Sequence, residues 1–279
     1  MIVVTGASGH VGGLVARELA ARGVPARLIV RDAARASELD GAEVAVADYG
    51  DPASLDAALG AGDRVFMVSL HQGPERRVEL HRSFVDAAAR AGVGHVVYLS
   101  FLAAAPDAVF MHARSHGATE QMLRDSGLSW TAIRNGMYAD EIPGWFDPDG
   151  VARETAGEGR MSFSYRPELA KAIAATLVDP AHDGGIYDVV TPPPVSLAEL
   201  ARIATDATGR EHRYEPVSHD EWDERWRALG RDGWHLDSGH TSYEAIRAGE
   251  FDVESDDYER ITGEKPLTVA QVVERVMAP

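Results

Sequence analysis

The residues of this 279-residue chain whose spacing says most about chemistry are three glycines near the N-terminus. Gly6, Gly9 and Gly12 follow a short apolar run and directly precede an amphipathic helical pattern. Gly6 lets a strand turn sharply, Gly9 lets backbone amides approach a pyrophosphate, and Gly12 lets the helix lie close to the strand. The spacing is GxxGxxG rather than GxGxxG, and an ordinary glycine-rich turn is the alternative. The turn predicts a nucleotide cofactor, with further contacts from Ser8, His10 and Val11.

The end of the second predicted strand, Val30-Arg31-Asp32, bears on which nucleotide is bound. If the strand ends at Val30, the Arg31 guanidinium can grip the 2′-phosphate of NADP, assisted by Arg35 one helical turn further on. Asp32 then caps the following helix. A shift of the strand end by one residue would bring Asp32 to the ribose 2′-hydroxyl of NAD instead. NADP(H) is therefore the favoured cofactor, and NAD is the alternative.

Polar residues also follow the next three predicted strands. Asp48 is placed to accept a hydrogen bond from the adenine amino group, but Asp48-Tyr49-Gly50-Asp51 is equally typical of a turn. The ends of the fourth and fifth strands carry Ser69, Leu70, His71, Ser100 and Phe101. Because the carboxyl ends of parallel strands meet at one edge of a sheet, we expect these five residues along the nicotinamide half of the cofactor.

The elements that position these residues are short β-type runs alternating with helical patterns, which is typical of a doubly wound parallel sheet. Six parallel strands are predicted, at residues 2–5, 26–30, 43–46, 64–69, 95–100 and 129–133. The helices between them are predicted at residues 11–22, 33–39, 52–59, 74–91 and 112–126. Several of the strands are apolar throughout, as expected for strands buried on both faces.

The pattern changes beyond Asn135. A Pro/Gly/Asp-rich stretch precedes a helix at 167–178 and a strand at 186–190, and Pro192-Pro193-Pro194 then forms a stiff break. Further helices begin near the N-cap residues Ser196, Ser218 and Thr268. We therefore predict an α/β fold with a Rossmann-like, doubly wound parallel sheet and a small, mostly helical C-terminal substrate lobe. The sheet domain would span residues 1–190, with 136–160 crossing to the substrate side, and the lobe residues 191–279.

Composition excludes several classes of protein. The formal charge of −17 argues against nucleic acid or an anionic membrane as a partner, because both require a basic surface. The absence of cysteine excludes a disulfide framework, a thiolate nucleophile and a cysteine-based metal site. No apolar stretch approaches the roughly 18 residues of a membrane helix, and no signal-peptide pattern precedes the first strand. We expect a cytoplasmic enzyme acting on a small molecule; the sequence does not distinguish a monomer from a homodimer.

Five segments together carry a family resemblance: Thr5–Gly12, Val30-Arg31-Asp32, Ala47-Asp48-Tyr49, His116-x-x-x-Glu120 and Leu128-x-x-x-x-Ile133-Arg134-Asn135-Gly136-x-Tyr138. They resemble the NmrA-like group of atypical short-chain dehydrogenases/reductases, and within it the NADPH-dependent quinone reductases and triphenylmethane dye reductases. The likeness extends over residues 1 to about 190 and fades beyond them. It implies a Rossmann fold with a small C-terminal substrate lobe and NADP(H) as ligand. Some members of the group are reductases and others are regulators that only sense the cofactor.

Ordinary members of the wider superfamily use a Tyr-x-x-x-Lys pair, in which the lysine lowers the tyrosine pKa for proton transfer. The only lysines here are Lys171 and Lys265, and neither has a tyrosine four residues before it. The expected helix instead carries His116 and Glu120 at i and i+4. His116, oriented by Glu120, could deliver a proton near neutral pH, or it could only pack beside the nicotinamide ribose or face solvent. We therefore expect direct hydride transfer to an acceptor that needs no strong acid, such as a quinone, an enone, an imine or a dye.

The segment that leaves the sixth strand supplies two more candidate catalytic residues, since the resemblance places similar segments beside the nicotinamide. These are Asn135 and Tyr138. Tyr138, Trp145 and Phe146 could form an apolar wall for a flat aromatic substrate, or they could be ordinary core.

Two further patterns have plainer interpretations. His112-x-x-x-His116 has the i, i+4 spacing of a zinc pair, but no third ligand is evident, so no metal is expected. Trp222 and Trp226, on the acidic helix around residues 220–224, are interpreted as a packed stripe beneath a solvated face.

Three functions remain open at this point. The leading one is an NADPH-dependent reductase of a small conjugated or aromatic acceptor. The second is a non-catalytic regulator that senses NADP(H), and the third is an epimerase or dehydratase, which is disfavoured because oxidation at an alcohol needs the missing Tyr/Lys pair. The first two differ in one structural respect. An enzyme needs an open cavity beside the nicotinamide, whereas a sensor can fill that space with side chains.

Overall fold

The computed structural model describes residues 1–278. Its strands are β1 (Ile2–Thr5), β2 (Ala26–Val30), β3 (Ala42–Val46), β4 (Arg64–Met67), β5 (His95–Phe101), β6 (Trp130–Asn135), β7 (Met137–Tyr138), β8 (Val151–Glu154), β9 (Arg160–Ser164), β10 (Ile186–Val189), β11 (Thr191–Ser196) and β12 (Arg213–Pro216). Its α-helices are α1 (His10–Ala21), α2 (Pro52–Ala58), α3 (Pro74–Ala91), α4 (Met111–Asp125), α5 (Arg166–Val178), α6 (Leu197–Thr208), α7 (His219–Ala228), α8 (Trp234–Ala248), α9 (Asp257–Thr262) and α10 (Val269–Met277). Short 3₁₀ helices lie at Ala33–Arg35, Ala139–Trp145 and Pro180–His182.

A seven-stranded sheet forms the centre of the fold, in the order β10-β6-β5-β4-β1-β2-β3. Every pair of neighbouring strands is parallel. The order reverses between β1 and β4, which is the point where a doubly wound sheet opens a crevice for a ligand. The predicted α/β class is confirmed, and the sheet has one strand more than the six predicted, because β10 pairs with β6.

Helices cover both faces of this sheet, and alternate residues of each strand pack on opposite sides. On β1, Val4 packs in the core formed with α1 and α5, while Val3 packs in the core formed with α2 and α3. On β5, Leu99 packs on the side of α1 and α5, and Tyr98 packs on the side of α2 and α3. This alternation decides which residues at the strand ends can face the crevice.

The C-terminal part of the chain builds a third core, which includes residues of α6, α8 and α10. This region also holds two small sheets, β11-β9-β7 and β12-β8, which the sequence did not predict. Helix α9 returns to the central sheet, where Tyr258 and Ile261 join the core on the α1 and α5 side. The mostly helical character predicted for this region is confirmed.

The predicted helix ends are largely confirmed, because local capping chemistry determines them. Ser196, Ser218 and Thr268 each form a capping box with the residue three positions later. Pro74 opens α3, and Gly92, with a φ of 70°, ends it.

Two local predictions were wrong. Residues 33–39 do not form a helix but a single 3₁₀ turn over Ala33–Arg35, because the segment has too few apolar contacts to extend past the costly first turn. Pro192–Pro194 is not a break but part of β11, where the pairing with β9 shifts register between Thr191 and Val195. Proline has no backbone N–H to donate to the neighbouring strand, so the shift in register accommodates the three prolines.

No helix among residues 1–278 is long and apolar enough to cross a membrane.

Candidate functional site

The glycine turn after β1 leads directly into the N-terminus of α1. Gly6 has a φ of +60°, and a Cβ there would lie 2.6 Å from Val68 Cγ1. A Cβ on Gly12 would lie 2.3 Å from the Gly6 carbonyl oxygen, so only glycine lets the helix sit this close to the turn. Gly9 is the N-cap residue and offers no side-chain cap. The first amides of α1 are therefore left for an external acceptor, which fits a pyrophosphate.

A cleft of about 680 Å³ extends from this turn along the carboxyl edge of the sheet. It contains twelve of the fourteen residues predicted to bind the cofactor, namely Gly6, Ser8, Gly9, His10, Val11, Gly12, Arg31, Arg35, Asp48, Ser69, Leu70 and His71. Of the three predicted catalytic residues, Tyr138 also lines it. The residues present thus fit a dinucleotide in both shape and chemistry.

The adenosine end of the cleft carries basic residues. Strand β2 ends at Val30, and the Asp32 carboxylate accepts a hydrogen bond from the Ala34 amide at 3.0 Å. Asp32 therefore caps the next turn, as predicted, while Arg31 and Arg35 line the cleft. Arg76, which sequence reasoning missed, lines it as well, and its Nη1 lies 2.9 Å from Glu79 Oε2.

Asp48 forms a turn and also lines the cleft. Its Oδ1 accepts a hydrogen bond from the Gly50 amide at 2.7 Å, which makes it a turn-former. It also lines the cleft, so its carboxylate remains within reach of a bound nucleotide.

Arg166, at the start of α5, is a second residue that sequence reasoning missed. It lines the cleft, and its Nη1 lies 2.8 Å from His10 Nδ1. Its Nε donates to Asp140 Oδ2 at 2.6 Å, and its guanidinium lies 4.8 Å from the centre of the Tyr138 ring. Burial raises the pKa of Tyr138 to about 12. Tyr138 is therefore a protonated phenol at neutral pH and can donate a hydrogen bond there.

His116 lies outside the cleft. Its side chain is buried, and its Nδ1 is 2.8 Å from the hydroxyl of Tyr98. Burial, reinforced by the charge of Arg77, holds its pKa well below the ordinary value. The imidazole is therefore uncharged at neutral pH, which removes the acidic form that a proton donor would use.

Glu120 does not orient His116, so this prediction was wrong. Its carboxylate instead accepts hydrogen bonds from Ser100 Oγ at 2.6 Å and from Arg134 Nε and Nη2 at 2.9 and 2.7 Å. Ser100 on β5 and Arg134 on β6 lie opposite each other in the sheet. Their hydrogen bonds to Glu120 therefore tie both strands to α4. The i, i+4 spacing of His116 and Glu120 placed them on one helix face, but their partners come from the sheet.

Ser100, Phe101 and Asn135 also lie outside the cleft. Leu99 lines it, and the next residue along β5, Ser100, points to the opposite face because side chains alternate along a strand. The Phe101 ring packs against Phe110 and Phe251. Asn135 is buried, and its Nδ2 donates to the Gly136 carbonyl at 2.7 Å. The residues after β4, Ser69, Leu70 and His71, thus line the cleft, whereas Ser100 does not, because one residue of register reverses the face.

A second cavity, of about 550 Å³, adjoins the first, and His71 and Glu141 line both. Four of the chain's five tryptophans line it: Trp145, Trp222, Trp226 and Trp234. Trp145 is thus where the predicted apolar wall placed it, whereas Phe146 packs against His212, with ring centres 4.9 Å apart, and lines neither cavity. From the sequence alone, Trp222 and Trp226 are interpreted as a packed stripe on a helix. Only the folding of α7 against α8 shows that this stripe is a cavity wall.

A carboxyl group and several imidazoles interrupt this aromatic lining. Glu154 is buried and accepts a hydrogen bond from Trp222 Nε1 at 2.5 Å, and burial raises its pKa. His71, His112 and His235 line the cavity around Trp234. Burial, followed by the charge of Arg77, lowers the pKa of both His71 and His112.

Arg77 places a buried positive charge behind the junction of the two cavities, where His71 and Glu141 line both. It is buried, its Nε donates to the Leu70 carbonyl at 2.8 Å, and its Nη1 donates to Ser115 Oγ at 3.1 Å. Arg77 is thus a buried cation whose charge helps to lower the pKa of His71 and His112. No group of three His, Cys, Asp or Glu side chains that could hold a metal ion occurs in the described part of the chain.

The chain is similar to known NAD(P)H-binding proteins. A family model described as NAD(P)H-binding matches residues 6–180. The NAD(P)H azoreductase of Xenophilus azovorans is 33% identical over 239 residues, which cover 82% of each chain. Quinone oxidoreductase 2 of Escherichia coli is 31% identical over 283 residues, which cover 98% of this chain and 97% of that relative.

One solved structure shows how far the similarity extends in space. The triphenylmethane reductase of Citrobacter sp., solved in complex with NADP(H), superposes with a TM-score of 0.89 at 29% sequence identity. The superposition covers 99% of this chain and 100% of that protein. The structural likeness therefore includes the C-terminal region, as the sequence match to quinone oxidoreductase 2 also does.

Proposed function

Since this chain belongs to the NAD(P)H-binding family, we propose that it is an NADPH-dependent reductase that passes a hydride directly to a small conjugated or aromatic acceptor. The acceptor would be of the quinone, enone, imine or dye type. The observation that carries the proposal is the shared wall of the two cavities, formed by His71 and Glu141. A flat molecule in the aromatic cavity would lie next to the nicotinamide end of the dinucleotide cleft.

Binding is the first task of the residues in the cleft. The glycine turn and the N-terminus of α1 would hold the pyrophosphate, and Arg31, Arg35 and Arg76 would hold the 2′-phosphate. Asp48 would meet the adenine, and Tyr138 would line the nicotinamide side. When bound, NADPH supplies a hydride from its nicotinamide C4.

The acid–base properties of the site favour acceptors that need no strong acid. Tyr138 is a phenol with a pKa of about 12, and His116 is a buried neutral imidazole. Neither matches the proton donor that reduction of a simple ketone would use. In a quinone or a conjugated imine the developing charge is delocalised, and the buried cation Arg77 behind the junction would stabilise it further.

An open acceptor cavity favours a catalyst over a cofactor sensor. The space beside the cleft measures about 550 Å³ and is walled by aromatic rings rather than filled by them. This volume suits a small ring system. A small molecule, and not a nucleic acid, is thus the proposed partner of a cytoplasmic enzyme that works as a monomer or homodimer.

The test is NADPH oxidation, followed by absorbance, against a panel that contains a quinone, an enone, an imine and a cationic dye, with NADH in parallel. We expect turnover with at least one acceptor and a preference for NADPH. Tight NADPH binding without oxidation by any acceptor would refute the proposal and support a sensor.

A further inference from the structure

His112 is a buried polar side chain for which the function described above has no use. It lies in the first turn of α4, is 8% exposed, and lines the aromatic cavity. Its Nδ1 is fully buried and has no hydrogen-bond partner among residues 1–278. A buried polar atom without a partner costs about 1–3 kcal/mol, and the sealed Nδ1 cannot be reached from the cavity, so an external partner would have to meet Nε2.

The environment keeps this imidazole neutral. Burial, followed by the charges of Arg77, His71 and His235, lowers the pKa of His112 to about 3. A neutral imidazole carries one N–H donor and one lone pair. The charged form is thus absent at neutral pH, and the ring can bind a ligand only as a neutral donor or acceptor.

The position of the proton follows from burial. An N–H at Nδ1 would be a sealed and unpaired donor, which is rarer in proteins than a sealed lone pair. Nε2 is not sealed in this way, and the cavity is the open space that the residue borders. The proton therefore belongs on Nε2, where it can be donated into the cavity.

Two of the donors that line the cavity are already engaged. Trp222 Nε1 donates to Glu154, and Ser242 Oγ donates to the Gly239 carbonyl at 2.8 Å. The His112 ring is flanked edge-on by Phe110 and Trp234, with ring centres 5.3 and 5.6 Å away. These rings fix the imidazole plane and offer it no hydrogen bond, so a polar atom of the acceptor is the partner that remains.

We propose that His112 Nε2–H donates a hydrogen bond to a carbonyl oxygen of the acceptor, so that quinones and enones are preferred over acceptors without such an oxygen. The proposal rests on the reductase function above. Hydride adds to the conjugated acceptor, the carbonyl π electrons move onto the oxygen, and this oxygen then takes a proton from water. His112 keeps its own proton throughout. Its hydrogen bond strengthens as the oxygen gains negative charge, which assists the transfer.

The test compares two substitutions and two acceptors. His112→Phe keeps a flat ring but removes the donor, whereas His112→Gln keeps an N–H near the position of Nε2. Menadione, a naphthoquinone, has carbonyl oxygens, and malachite green, a cationic triphenylmethane dye, has none. Dissociation constants are measured on the NADP⁺-loaded protein by quenching of the cavity tryptophans, and kcat/KM is measured for NADPH oxidation. Thermal unfolding and NADPH affinity report whether each variant is folded.

We expect His112→Phe to weaken menadione binding and kcat/KM by about tenfold to a hundredfold, as for loss of one buried hydrogen bond. Malachite green should change by no more than about threefold, and His112→Gln should retain most of the menadione affinity. Equal losses for both acceptors, or an unchanged affinity for menadione, would overturn the role of His112. If wild-type protein binds menadione but oxidises NADPH with no acceptor of the panel, the reductase proposal fails, and the binding comparison still decides the role of His112.

Discussion

Replacement of Arg31 by alanine tests how the chain distinguishes NADPH from NADH. Arg31 directly follows β2 and is exposed at the rim of the cleft, and Arg35 and Arg76 lie at the same end. The neighbouring carboxylate of Asp32 is held by the Ala34 amide, so Arg31 is the residue free to reach a 2′-phosphate. The substitution removes one of three guanidinium groups and leaves the glycine turn untouched.

The expected magnitude follows from charge and exposure. A hydrogen bond to a charged group contributes about 1.5–3 kcal/mol when shielded from water, and screening at an exposed site reduces this to about 1–2 kcal/mol. NADPH affinity should therefore fall by about fivefold to thirtyfold. NADH has no 2′-phosphate, so its affinity should stay within about twofold of the wild-type value. The loss for NADPH should shrink in high salt.

Isothermal titration calorimetry with both nucleotides measures this difference. Arg202→Ala is the matched control, because Arg202 is an exposed arginine on α6 that contacts only a backbone carbonyl. It should change neither affinity. Equal losses of NADPH and NADH affinity in Arg31→Ala would refute the assignment, and so would an unchanged NADPH affinity.

Two further predictions concern stability. Burial lowers the pKa of His81 to about 3 from an ordinary value near 6.5, so the unfolded state binds the proton first and stability falls as pH drops from about 6.5 towards 3. His81→Gln should lower the slope of unfolding free energy against pH, between about pH 6 and pH 4, by up to about 1.4 kcal/mol per unit; an unchanged slope in chemical denaturation would contradict this. Glu120→Gln should destabilise the fold by about 3–5 kcal/mol by breaking the buried pair with Arg134, while Ser100→Ala should cost about 0.5–1.5 kcal/mol. A large loss of kcat in Glu120→Gln without loss of stability would instead restore a catalytic role for Glu120.

The sequence was most informative where the determinants are local. The glycine turn, the apolar strands and the capping residues Ser196, Ser218 and Thr268 act over a few neighbouring positions, and the structure places them as predicted. The short segment at 33–39 is the exception, because a helix there would have needed a packed face that its composition does not supply.

The candidate site was predicted in part. The residues expected to bind the cofactor, from Gly6 to His71, line one cleft, since each of them follows from a strand end or the first turn. Arg76 and Arg166 were missed because each comes from an element distant in sequence from the glycine turn, and no local pattern marks such a residue. Ser100 was misplaced by the alternation of faces along β5, which a strand end uncertain by one residue cannot resolve.

By itself, the sequence determined the fold class, the glycine turn and the basic residues after β2, because backbone conformation and side-chain chemistry at adjacent positions set all three. Tertiary structure alone decided that Glu120 pairs with Arg134 rather than His116, and that four tryptophans surround one cavity. It also decided that His112 is buried, neutral and without a partner. The physical reason is that burial, pairing and pKa depend on which distant segments of the chain come into contact. A local sequence pattern does not show those contacts.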